Sequence, residues 1–387
     1  MIEKKITSAD ILSKIREVFN TQEFIPLHAP VFAGDEKKYV NECLDSTFVS
    51  SVSQYVQKVE DKICEITGSK YAVAVTNGTV GLHLALLAAD VKPNDEVISQ
   101  ALTFVATGNA ISYTGAKPVF VDVDETTMGM SADALEKFLL NNTEQKEGYC
   151  FNKNSGRRIK ACVPMHTFGF PMEIEKVAAL CEKYNIVLVE DAAESIGSYV
   201  GDKHTGTFGE LACLSFNGNK VVTAGMGGII LTQNEAMAKW LKHVSTTAKK
   251  PHAYEFYHDE TGYNYRMAGL NAALLYGQLM NIEKIIEGKR KLAFIYRDFF
   301  AGSDIEFVEE QEGTTVNYWL NTLKFKNFEK RNNYLIYANE NGVMSRPIWM
   351  LMNKLPMFKD AEHDGLEISK KLEAVVVNIP SSFIPEL

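Results

Sequence analysis

Lys220 is the residue with the most chemistry on offer, a primary amine in Ser215-Phe-Asn-Gly-Asn-Lys220 with the glycine-rich Gly225-Met-Gly-Gly228 just beyond it. An amine attacks a carbonyl only if it is reachable and can shed its proton, so such a lysine belongs at a strand end inside a pocket. Glycines after it let the backbone pass close to a bulky group. Alone, the stretch also reads as a solvated loop. A second stretch, Ile186-Val-Leu-Val-Glu-Asp191-Ala-Ala-Glu194, is an apolar run that ends in acid. It puts Asp191 at the carboxyl end of a buried strand, where a carboxylate needs a cation or hydrogen-bond donors. A protonated pyridine nitrogen would serve, and so would a metal, a ribose or a helix N-terminus. A third stretch, Thr76-Asn77-Gly78-Thr79, separates the apolar Tyr71–Val75 from the helix-like Gly81–Ala89. The N–H groups and dipole of a helix start can seat a phosphate there; a plain Asn-Gly turn is the alternative. No GxxxxGK[ST] and no GxGxxG occurs, which points away from nucleotide triphosphatases and dinucleotide enzymes.

These residues need a scaffold, and the chain between about residues 70 and 232 supplies one. Short β-branched runs (Tyr71–Val75, Glu96–Ser99, Pro118–Val121, Ala161–Met165, Ile186–Glu190, Gly228–Leu231) alternate with amphipathic stretches such as Ser131–Leu140 and Glu173–Lys183. That alternation predicts an α/β fold, a mostly parallel sheet between helical layers with ligands at the carboxyl ends of the strands. Beyond Ser245 the chain turns polar and aromatic, then runs into a long helical pattern over Leu274–Phe300 and short strands at Thr322–Phe325 and Val375–Ile379. The expected organisation is an N-terminal helical segment over 1–25, a large domain over 26–245 and a smaller α+β domain over 246–387. Ser8 is the expected N-cap of a first helix, Ser8–Phe19.

Bulk composition narrows the classes. The 46% hydrophobic and 23% charged content is ordinary for a soluble globular chain, and the net charge of −9 opposes nucleic-acid binding. Six scattered cysteines without a CxxC read as reduced thiols, and no run approaches the length of a membrane span. A cytoplasmic enzyme with no membrane partner is the expectation. The eight histidines show no HExxH or similar spacing, so no catalytic metal is expected, and no GxSxG suggests a serine hydrolase.

Taken together, the chain resembles the DegT/StrS family of sugar aminotransferases, a branch of fold-type I pyridoxal-phosphate (PLP) enzymes. The matching pieces are Thr76-Asn-Gly-Thr79, Thr103-Phe104, Glu190-Asp-Ala-Ala-Glu194, Ser215-Phe-Asn-Gly-Asn-Lys220, Gly262-Tyr-Asn-Tyr-Arg266 and Arg346-Pro347. They stand in family order and span roughly residues 25–380. The resemblance implies that Lys220 carries pyridoxal 5'-phosphate and moves protons, with pyridoxamine phosphate formed during turnover. It implies Asp191 as the partner of the pyridine nitrogen, Phe104 as the ring that stacks on the cofactor, and Gly78, Thr79 and Ser215 as the phosphate cup. Glu194 occupies a position that is often Gln in the family. Asn264 corresponds to a phosphate ligand from the other subunit, which implies a homodimer with shared active sites; the residues alone read as an ordered surface turn. Deoxygenating relatives of the family usually carry His at the lysine, and Lys220 is intact.

The implied reaction moves the amino group of L-glutamate to a keto carbon of a nucleotide-linked sugar. Asn217-Gly-Asn219, Asn317-Tyr-Trp319-Leu and Ser345-Arg346-Pro347 resemble most the branch acting on UDP-2-acetamido-4-keto-6-deoxyhexoses, on routes to bacillosamine and legionaminic acid. That substrate is the first expectation. A GDP-4-keto-6-deoxymannose (perosamine-type) enzyme is the alternative, and a dTDP-keto-sugar enzyme comes third. Asn219, Trp319 and Arg346 are the expected substrate contacts. His166, after the predicted strand in Pro164-Met-His-Thr-Phe-Gly169, is another candidate, with a satisfied packing histidine as the alternative.

Overall fold

The computed structural model describes residues 4–387. Its centre is a nine-stranded mixed sheet whose main path runs Tyr71–Val75, Gly228–Thr232, Leu211–Ser215, Val187–Asp191, Arg158–Val163, Glu96–Gln100 and Lys117–Val121. Gly228–Thr232 runs antiparallel to both its neighbours, and the other adjacent pairs that it does not join are parallel. The expected α/β architecture is therefore present, with one strand reversed.

Strand alternation explains how one sheet serves two cores. Val73, Val75, Leu211, Cys213 and Ile230 point to one apolar layer, while Ala72, Ala74, Ala212, Leu214, Ile229 and Leu231 join the other. With both faces covered, the strands read as continuous apolar runs. The strand Leu211–Ser215 was not among those expected from sequence. Its five residues, Leu-Ala-Cys-Leu-Ser, carry little β-branching, and packing on both faces makes the strand in their place.

After residue 245 the expected long helix over Leu274–Phe300 is two helices, Gly269–Met280 and Ile282–Phe300, divided at Asn281. Asn281 turns its N–H back to the Gln278 carbonyl, the local bonding that makes Asn a poor interior helix residue. A second antiparallel sheet is built from Glu306–Phe307, Asn321–Lys324, Val376–Ile379 and Arg346–Pro347. The first helix spans Ser8–Phe19 as expected, but its N-cap is Thr7 rather than Ser8. Thr7 and Asp10 bond reciprocally, and that capping box places the start. The helix joins the second sheet's side of the molecule, where Arg16 Nη2 donates to the Asn341 carbonyl at 2.6 Å.

Among the described residues no helix is long and apolar enough to cross a membrane. All six cysteines are free.

Candidate active site

The carboxyl ends of the central strands converge on a cavity of about 540 Å³. Its lining includes Gly78, Thr79, Phe104, Asp191, Glu194, Ser215, Asn219, Lys220 and Trp319. Each arrives by a simple route. Asp191 ends one strand and Ser215 ends its neighbour. Phe104 precedes the helix Val105–Tyr113, and Gly78 opens the helix Gly78–Ala88.

Asn77 caps that last helix, its Oδ1 accepting from the Val80 N–H at 3.0 Å. The first-turn N–H groups of a helix have no intrahelical acceptor, so those of Gly78 and Thr79 make an anion seat. Space favours glycine here: a Cβ on Gly78 would lie a tight 3.1 Å from the Ser215 Cβ. Gly228 is needed outright, since a Cβ there would stand 2.5 Å from the Asn77 carbonyl carbon, a backbone atom. Cys213 packs beneath, its thiol donating to the Gly78 carbonyl at 3.3 Å. Burial pushes that thiol well up, so it stays protonated and inert.

Asp191 is only 3% exposed, and burial, the largest influence, raises its carboxyl above the ordinary value. Its Oδ2 accepts from the Thr107 hydroxyl at 2.7 Å and its Oδ1 from the Ala193 N–H at 3.2 Å. Two donors leave lone pairs over and no cation in hydrogen-bond contact, at the wall of a cavity. A cationic ring nitrogen would complete it.

Lys220 Nζ donates to Glu194 Oε1 at 3.0 Å and lies 3.8 Å from the centre of the Trp319 ring. Glu194 Oε2 accepts from the Phe168 N–H at 2.8 Å. Burial pushes the Glu194 carboxyl up to about 7 even though the neighbouring Lys220 pulls it down. Trp319 is held by its indole N–H, which donates to the Asn219 carbonyl at 2.7 Å, and by its own N–H, which donates to Asn317 Oδ1.

Two aromatic residues beside this group, Phe168 and Tyr318, sit in the left-handed region with φ of 57° and 47°. Bulky side chains there cost on the order of 1–3 kcal/mol each and persist only when packing imposes them. Phe168 supplies the N–H to Glu194 and lays its ring 4.8 Å from Trp349, so the strained turn holds both the acid and the aromatic wall.

Three expected site residues lie outside this cavity. His166 is fully buried behind the strand and does not line the cavity; its Nε2 pairs with Glu190 at 3.0 Å. Arg346 is exposed on the edge of the second sheet, away from the cavity lining. Asn264 also lies outside the cavity of its own chain, exposed in a loop tied to the site by the Thr76 N–H and the Tyr265 carbonyl at 2.8 Å. Conversely, sequence reasoning missed Thr107, Tyr113 and Trp349. Thr107 follows Thr103 by four residues, one helical turn, and their hydroxyls meet at 2.9 Å. Trp349 follows Arg346-Pro347 closely, but nothing in its type distinguishes it from a core tryptophan.

A reachable amine, an under-bonded buried acid, a helix-start anion seat and open aromatic faces fit a pyridoxal phosphate. Comparison with known proteins agrees. The model of the DegT/DnrJ/EryC1/StrS aminotransferase family matches residues 31–383. The chain is 35% identical to GDP-perosamine synthase of Escherichia coli O157:H7 over 359 residues, 93% of each chain. It is 34% identical to GDP-perosamine synthase of Vibrio cholerae, over 92% of this chain and 94% of that one. Among solved structures, Spr1654 of Streptococcus pneumoniae, described as a sugar aminotransferase and solved in its PLP form, shares the fold with a TM-score of 0.83 at 21% identity, covering 92% of this chain and 93% of the other.

Proposed function

Because the chain belongs to the DegT/DnrJ/EryC1/StrS aminotransferase family, whose members are PLP-dependent, we propose that it moves the amino group of L-glutamate onto the C4 ketone of GDP-4-keto-6-deoxymannose. The UDP-linked 2-acetamido sugar favoured by the sequence motifs gives way here, because the two GDP-perosamine synthases match over nearly the whole chain at 34–35% identity. The observation that carries the chemistry is Lys220, Asp191 and the Gly78–Thr79 helix start on one cavity wall.

When bound, the cofactor supplies the electron sink. The protein's part follows from the residues. The helix-start N–H groups of Gly78 and Thr79, with the Ser215 hydroxyl, hold the phosphate and so fix the register of everything else. Asp191 would give a cationic ring nitrogen its negative partner. Phe104, half-exposed in the lining, would offer its face to the ring. Lys220 carries protons, because its Nζ is the amine facing the cavity, and the Trp319 face and Glu194 position it. Asn219 and Trp319 border the space left for the sugar. Asn264, outside its own cavity, is proposed to reach the phosphate of a second copy, making the working unit a homodimer.

The test is to load the protein with PLP, add L-glutamate and then offer GDP-, UDP- and dTDP-linked 4-keto-6-deoxyhexoses in turn, following 2-oxoglutarate and the aminated sugar. The expected result is amination of the GDP sugar with the highest kcat/KM. Preference for a UDP or dTDP sugar would keep the chemistry and overturn the substrate. No 2-oxoglutarate with any sugar would remove the aminotransferase reading.

A further inference from the structure

Trp319, whose ring lies 3.8 Å from Lys220 Nζ, is fixed at three points. Its own N–H donates to Asn317 Oδ1, its indole N–H donates to the Asn219 carbonyl, and its carbonyl accepts from Lys289 Nζ at 3.2 Å. Lys289 comes from the helix Ile282–Phe300 and is only 1% exposed. The same nitrogen donates to the Ser381 carbonyl and lies 3.0 Å from His28 Nε2. No other group among the described residues donates to either carbonyl. The His28 ring has Lys289 as its one hydrogen-bond partner, its Nδ1 being buried and unpaired.

An amine in this place is costly. No carboxylate bears on it, and burial brings it down to about 7. Either protonation state still serves both carbonyls. An ammonium donates its third N–H to His28 Nε2, and a neutral amine accepts from it. What the amine achieves is geometric: it draws together the segment at His28, the turn at Trp319 and the turn at Ser381, which lie far apart along the chain.

We infer that Lys289 is a positioning residue for the amino transfer, clamping the Trp319 peptide so that the indole face stays against Lys220 and beside the sugar. The inference rests on the proposed role of Lys220.

The backbone next to the clamp gives it something to hold. Tyr318 sits in the left-handed region with φ of 47°, a conformation that a bulky residue keeps only while contacts impose it. Freed at the Trp319 carbonyl, the Tyr318–Trp319 peptide can relax, and the ring turns with it. The indole N–H then leaves the Asn219 carbonyl, which belongs to the residue before Lys220. Lys289 does not line the cavity, so it acts on the reacting groups only through this peptide.

The first test needs no cofactor. In apoprotein carrying Trp240→Phe and Trp349→Phe, Trp319 is the one tryptophan left, and at 5% exposure it should resist quenching by acrylamide. Adding Lys289→Met is expected to raise the quenching and shift the emission to the red. Unchanged quenching and emission overturn the clamp. The second test is a double-mutant cycle on kcat with the PLP-loaded protein. Lys289→Met alone should lower kcat on the order of 10–10²-fold, the scale of a small misplacement near reacting atoms. In a Trp319→Ala background the same change should add little, because its route to Lys220 is gone. An unaltered kcat, or losses that multiply, would make Lys289 a general support of the fold and overturn the inference. Where urea unfolding shows that Lys289→Met does not fold, the shorter and still polar Lys289→Gln replaces it in both tests. The two kinds of failure stay apart. Unchanged fluorescence sinks the clamp alone, whereas a parent protein that forms no 2-oxoglutarate with any sugar sinks the role of Lys220 and, with it, the purpose of the clamp.

Discussion

Glu190 and Asp191 are neighbours in sequence, equally buried by type, and opposite in circumstance. Strand geometry sends them to opposite faces of the sheet. Behind the strand, Glu190 receives His166 Nε2 and the N–H groups of Gly206, Phe208 and Gly209, at 2.6–3.0 Å. Burial opposes its ionisation, but His166 and those N–H groups prevail and hold its carboxyl below the ordinary value. In front, Asp191 has two donors and a cavity, and its carboxyl is raised. The difference separates a knot from a site: the acid whose donors are complete holds loops together, and the acid left short is the one open to a ligand.

That contrast can be broken most sharply at the knot. Glu190→Gln turns a donor toward backbone donors and leaves His166 unpaired, so a loss of about 3–5 kcal/mol is expected, read as a lower urea midpoint at constant slope. Asp191→Asn should do the reverse. It removes a costly buried charge, so the apoprotein should unfold no earlier, while kcat falls on the order of 10²–10³-fold for want of the countercharge. If both variants lose stability alike, the division between knot and site is wrong.

A smaller effect comes from His204, beside the knot, which accepts from the Gly197 N–H at 2.8 Å and whose burial brings it down to about 4. Its folded value lies below its unfolded one, so the unfolded chain binds more protons between them. Stability should fall as pH drops from about 6.5 to 4, by up to about 3 kcal/mol. His204→Asn should flatten that limb of the profile, measured by chemical denaturation. The smallest effect is at the site: Thr107→Val removes one hydroxyl from Asp191 and should cost about 1 kcal/mol, seen as a modest loss in kcat/KM. A larger loss would make Thr107 more than a support.

How far the molecule could be read from its sequence depends on what kind of signal each part leaves. The sheet was legible because strands buried on both faces must be apolar throughout, and the acid closing Val187–Asp191 marks the end facing the ligand. The helix start at Gly78 was legible because Asn77 caps it with its side-chain oxygen and Gly78 leaves room beside Ser215. Leu211–Ser215 left little signal, since its residues lack β-branching and only the neighbouring strands make it one.

The side chains around the site followed a different rule. Sequence put Lys220, Asp191, Glu194 and Phe104 in one cavity through their motifs, and the structure places all four in its lining. It could not say that His166 turns behind the sheet, because a residue at the mouth of a strand can face either way. Nor could it place Arg346 on an outer edge or bring Trp349 into the wall, because those positions depend on how the second sheet packs on the first. The chemistry on offer was thus determined by local residue types, whose needs for charge, space and backbone freedom are short-ranged. Which groups meet, which are left short of partners and which are strained was decided only by tertiary packing, because a contact between Lys220 and Glu194, or between Trp319 and Asn219, spans distances along the chain that no local preference can see.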